Sequence, residues 1–120
     1  MALTTAGKNF LVQHAIIGQT IYVALAVDGT ELSGHGYSRL AWGTGAKTLN
    51  ETESRAQSSA DLTVYTATDG SAQDANQAAF FDAATGGNQL TTWGNLTTDV
   101  AAPTNGQPVT FRTGALVWDI

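Results

Sequence analysis

The chain has 120 residues, no cysteine and a net charge of −5, and only 12% of it is charged, against about a quarter in an ordinary soluble domain. That length implies one domain over 1–120, the 42% apolar fraction excludes a disordered chain, and zero Cys excludes a disulfide scaffold, a thiolate metal site and a cysteine nucleophile. Five scattered Lys and Arg exclude the cationic patch that nucleic acid or an anionic membrane requires, and no apolar run approaches the roughly 20 residues that span a bilayer.

The first predicted element is a helix over residues 3–17. Thr4 or Thr5 supplies the capping hydroxyl, Ala6, Phe10, His14 and Ile17 follow at three- and four-residue spacing with Leu11 beside them, and Gly18 is the stop. Gln13 and His14 interrupt the apolar stretch, so it is a poor signal peptide and the chain is expected to be made and folded in a cytoplasm. On the same ground Asn50-Glu-Thr52 and Asn95-Leu-Thr97 are read as chance matches to the glycosylation pattern.

From residue 20 the period becomes two. Ile21, Val23, Leu25 and Val27 alternate with Tyr22, Ala24 and Ala26, which predicts a strand, and Asp28-Gly29 is a turn. Residues 37–42 form a second strand. Residues 50–60, inside an expected loop region over 45–75, hold a charge cluster with few large apolar groups and read as a loop or poorly packed edge. Residues 62–68 alternate again. Residues 78–81 and 90–96 flank Asp82-Ala-Ala-Thr-Gly-Gly87, a hairpin with a longer loop. At the C-terminus Val109 and Phe111 are apolar on odd positions, whereas Leu116, Trp118 and Ile120 are apolar on even ones, with Gly114 between. Either a bulge at Gly114 switches faces, or two strands in different sheets meet at a corner there. One short N-terminal α-helix followed by seven or eight strands over 20–120 predicts a mainly β fold, an antiparallel β-sandwich or jelly-roll-like barrel.

Nothing in this pattern carries catalysis. His14 and His35 form no metal-ligand pair, and there is no Gly-x-Ser-x-Gly elbow. Gly34-His-Gly36-Tyr-Ser-Arg39 has Arg where a dinucleotide loop needs its third glycine. Gly43-Thr-Gly45-Ala-Lys47-Thr48 lacks the Gly-Lys pair of a phosphate loop, and Asp69-Gly-Ser-Ala-Gln-Asp74 lacks the ligand alternation of a calcium loop. No catalytic residue, metal or cofactor is expected, and the chain is read as a non-enzyme. Trp42, Trp93, Trp118, Tyr22, Tyr37 and Tyr65 are core side chains or, if exposed together, a sugar-stacking face. Trp93, between Thr92 and Gly94, is the best candidate for an exposed ring.

Several blocks in a fixed order give a resemblance. Met1-Ala-Leu-Thr-Thr-Ala-Gly-Lys-Asn9 comes first and Glu31-Leu-Ser-Gly-His-Gly-Tyr-Ser-Arg39 follows the first strand. Phe80-Phe-Asp-Ala-Ala-Thr-Gly-Gly87, Trp93-Gly-Asn-Leu96 and Thr113-Gly-Ala-Leu116 come late. Together these resemble a widespread family of small bacteriophage virion proteins, often described as tail-fibre or minor structural proteins. Asn105-Gly-Gln-Pro108 departs from it, because the family tends to have a Gly-Asp turn there. The resemblance marks Gly34, Gly36, Tyr37, Arg39, Phe81, Asp82, Thr85, Gly86, Gly87 and Gly114 as structural motif positions. The glycines suit turns with positive φ. Arg39 and Asp82 are isolated charges that either pair or hydrogen-bond backbone groups near the sheet ends, or are simply solvated.

The resemblance implies a virion protein made in the bacterial host, with other virion proteins as partners. Because no shaft-forming repeat is present, the expectation is a decoration or cement protein seated on the major capsid protein. The alternative is a tail-fibre or tail-tip component that contacts the host receptor or a glycan. A homo-oligomer, with a trimer as the guess, suits either role. Phe10, Leu11, Ile17 and Trp93 are the candidate interface residues. The face made by Phe10, Leu11 and Ile17 either packs on the chain's own sheet, the preferred reading, or reaches a neighbour. A surface with few charges can be packed at little desolvation cost.

Overall fold

A computed structural model describes residues 1–120. They form two compact units, one made of Met1–Thr20, Trp42–Leu62 and Phe111–Ile120, the other of Ile21–Ala41 and Thr63–Thr110.

The first unit begins with α1, Thr5–Leu11, capped by Thr4, whose hydroxyl accepts from the Gly7 amide at 3.0 Å. No residue of α1 is buried. At Val12 the helix widens into a π-helical segment, Val12–Ile17, which buries Val12, Ile16 and Ile17. Gly18 ends it, donating to the Gln13 carbonyl five residues back at 3.0 Å. The expected single stripe is therefore split. The wider π turn rotates the later side chains away from a 3.6-residue period, so Ile17 turns inward while Phe10, Leu11 and His14 face solvent.

The same unit holds a three-stranded antiparallel sheet in the order β10-β5-β4. It comprises β4, Lys47–Asn50, β5, Arg55–Ser58, and β10, Val117–Asp119. Strand β5 lies where a loop was expected. Its inward residues are the small Ala56 and the polar Ser58, so no hydrophobic alternation announces it. Ser58 is buried at no cost in unpaired groups: its hydroxyl accepts from the amides of Gly114 and Leu116 at 3.0 and 3.3 Å.

The second unit is built on a five-stranded sheet. Strand β1, Ile21–Val27, pairs with β2, Thr30–Glu31, with β3, Leu40–Trp42, and with β7, Ala75–Phe81; β8, Gly94–Val100, pairs with the far side of β7. The register sets Tyr22 opposite Phe81, Ala24 opposite Ala79 and Ala26 opposite Gln77. Val23, Ala24, Leu25 and Ala26 are all fully buried, so β1 is covered on both faces. A two-stranded sheet pairs β6, Leu62–Thr66, with β9, Pro108–Phe111.

The fold is mainly β with one N-terminal α-helix, and the pairs β1–β2, β1–β7, β7–β8, β4–β5 and β5–β10 are antiparallel. The expected sandwich or jelly-roll barrel is corrected: the strands divide among three sheets, none of which closes into a barrel or a sandwich. The C-terminal register slip resolves as the corner, not the bulge. β9 pairs with β6, β10 pairs with β5 in a different sheet, and Gly114 turns between them with φ of +80°.

Candidate functional site

Among the motif positions of the second unit, Tyr37, Arg39 and Phe81 are joined around Glu31 and the loop that follows β7. Arg39, just before β3, is the centre. Its Nε and Nη2 donate to the two carboxylate oxygens of Glu31 at 2.9 Å each, a bidentate pair. Its Nη1 donates to the carbonyls of Ala83 and Gly86, both at 2.9 Å, and the guanidinium lies 3.8 Å from the Phe81 ring centroid. The Tyr37 hydroxyl donates to Glu31 at 2.8 Å and accepts from the Leu25 amide at 3.1 Å. The block around residues 31–39 is thereby clasped to the loop that follows β7. The hydrogen bonds from Arg39 hold the Glu31 carboxyl below its ordinary 4.5, and burial raises the Tyr37 hydroxyl far above its ordinary range.

Asp82 does not pair with Arg39. Its carboxylate accepts from the Asn88 amide at 2.7 Å and from the Asn88 side chain at 2.8 Å, closing its own loop; the backbone bond is the main reason its carboxyl is lowered. Gly86 and Gly87, both at positive φ, turn that loop, and Thr85 is exposed at its tip. Gly34, His35 and Gly36 form three successive left-handed residues. At Gly36, φ is +91° and a Cβ would strike the Thr66 carbonyl oxygen and lie 2.8 Å from Thr68 Cγ2, so the backbone approach needs glycine. His35 Nδ1 lies 3.0 Å from Asp69, whose carboxyl it lowers.

Beside the clasp lies an aromatic face. Ala24, Ala79 and Phe81 form its buried floor, and Tyr22 and Trp93 pack on that floor half-buried. The Trp93 ring centroid is 5.9 Å from that of Phe81. The expected exposed Trp93 is thus partly sunk against Phe81. Trp42 and Tyr65 are core residues; Trp42 donates its indole N–H to the Ala46 carbonyl at 3.0 Å. Sequence reasoning missed two members of this region. Glu31 was visible only as the first residue of its block, and Tyr22, one of six aromatics considered for a stacking face, was not singled out to accompany Trp93.

The remaining candidates stay apart from this region in chemistry. Lys47 of the phosphate-loop near miss is buried, and its ammonium donates to the carbonyls of Gln19, Trp42 and Gly43 at 2.7, 2.6 and 3.0 Å; burial pushes its pKa down to about 8. It has no proton left for a phosphate. No three His, Asp or Glu side chains gather into a metal-binding group. Of the candidate interface residues, Phe10 and Leu11 are exposed on the first unit, at 62% and 37%, whereas Ile17 is buried.

The arrangement is a clasp centred on the Arg39–Glu31 pair, with a half-buried aromatic face packed beside it. Among known families, the model described as "Podophage GP4 fiber I protein gp80" matches residues 12–119, all but the first eleven residues and the last. No curated protein matches the chain. The matched span contains the clasp, the aromatic face and every strand. The chain therefore belongs to the podophage GP4 fiber I protein gp80 family, and it is a non-enzymatic structural protein of a phage virion.

Proposed function

We propose that the protein is a component of the phage tail fibre that contacts the host-cell surface. The observation that carries this reading is the fibre family match over residues 12–119. It displaces cement on the capsid lattice as the leading role. The cement reading rested on the lack of a shaft-forming repeat, and a compact fibre module needs no shaft of its own when a partner virion protein supplies one. The low charge of the chain, 12%, suits a module that spends its working life packed against other subunits. A homotrimer is the oligomer proposed for it, read by analytical ultracentrifugation.

The test is competition for adsorption. Host cells preincubated with the purified protein should adsorb phage more slowly, in proportion to the protein bound. Unchanged adsorption on cells saturated with the protein would exclude a receptor-contacting role.

A further inference from the structure

We infer that the face formed by Tyr22 and Trp93 is a binding site for a neutral saccharide of the host-cell surface; this rests on the fibre reading above and names the ligand class for it. Tyr22 and Trp93 are half-buried over the same floor of Ala24, Ala79 and Phe81. A buried indole or phenol normally finds a hydrogen-bond partner within the protein, as Trp42 does with Ala46 and Tyr37 does with Glu31. Tyr22 and Trp93 have none in this chain, and neither polar atom is closed off from solvent. Two flat apolar rings, each with an unused donor at its rim, match the alternation of C–H faces and hydroxyls on a pyranose ring.

The surroundings select a neutral ligand. The cation nearest the face, Arg39, is fully committed to Glu31, Ala83, Gly86 and Phe81. A net charge of −5 repels phosphorylated or uronic-acid glycans at long range. On the same sheet face, Gln77 and Asn95 are joined by a 3.3 Å hydrogen bond that occupies the Asn95 carbonyl oxygen, so the Asn95 amide N–H groups point to a further donor row for hydroxyls. The clasp below holds Phe81 in place, so the floor is set before a ligand arrives.

The test is direct binding of the fluorescently labelled protein to host cells, to cells oxidised with periodate, which cleaves the vicinal diols of surface glycans, and to protease-treated cells. The wild type should bind untreated and protease-treated cells and lose binding to oxidised ones, with little change across added salt. Trp93→Ala should weaken binding about tenfold or more. Trp93→Phe, which keeps a stacking ring and guards against a folding defect, should retain part of it, and Tyr22→Phe should weaken binding with an unchanged melting curve. Binding that survives periodate, is lost to protease, falls steeply with salt, or is equal in all three variants overturns the saccharide site while leaving the fibre role standing. Absence of any cell binding overturns the site, and the fibre role is then judged separately by where the protein sits on the virion.

Discussion

At the scale of single residues, Arg39 does more structural work than any other charge in the second unit. Its side chain is only 9% exposed, and it joins one acidic partner, two backbone carbonyls and one aromatic ring. Arg39→Met should cost about 2–4 kcal/mol in denaturant unfolding, because Glu31 and two carbonyls lose their donors together. The pH dependence has a definite sign. The folded-state pKa of Glu31 is lowered from 4.5, so this stability is fully present above that value and is lost as pH falls through the folded-state pKa. Arg39→Met should flatten that acid limb relative to the wild type. At Gly36, alanine meets both a left-handed φ of +91° and the Thr66 carbonyl, so Gly36→Ala should cost at least about 1–3 kcal/mol by the same measurement. These positions stand out in the sequence as parts of a motif, but the partner of Arg39 does not. The sequence offered Asp82 as the isolated opposite charge, whereas the turn through residues 32–36 brings Glu31 back to the guanidinium. That geometry is a matter of loop conformation, which residue order alone does not encode.

At the scale of elements, the sequence reads well wherever one face alternates cleanly. β1 was legible because Ile21, Val23 and Leu25 recur at strand spacing, and the end of β7 because Phe80 and Phe81 are adjacent large apolar residues before a turn-rich loop. β5 was not, because Ala56 and Ser58 fill its buried positions. The N-terminal helix was legible as a helix but not in its facing, since a π-helical segment leaves the apolar spacing unchanged while altering the angle between side chains. This gives a sharp contrast. Ile16, 5% exposed, sits on the buried face, and Ile16→Ala should cost about 2–4 kcal/mol in thermal or denaturant unfolding. Phe10→Asp, on the open face, should change stability by less than about 0.5 kcal/mol. Comparable losses from both substitutions would mean that the whole stripe packs inward. The C-terminal slip at Gly114 shows a different limit: periodicity detected the change of face, and only strand pairing separated a corner from a bulge.

At the scale of the whole molecule, pairing among distant strands decides the architecture. Seven or eight strands were expected and ten form, and their division into three sheets depends on contacts such as β10 with β5 and β9 with β6 that join remote parts of the chain. The functional class followed the same course. Composition excluded a nucleic-acid binder, a cysteine nucleophile and a thiolate metal site, and the family match then pointed to a fibre protein where residue patterns had favoured capsid cement. The two roles differ in number and place on the particle. Decoration proteins occupy many equivalent positions on the head, whereas fibre proteins occupy the few positions set by the symmetry of the tail. Quantitative mass spectrometry of purified virions, paired with gold-labelled antibody against this chain, reads both at once. A fibre component should show a small copy number, a low multiple of the tail symmetry, with label confined to the tail. A copy number near that of the major capsid protein, with label spread over the head, would contradict the fibre role.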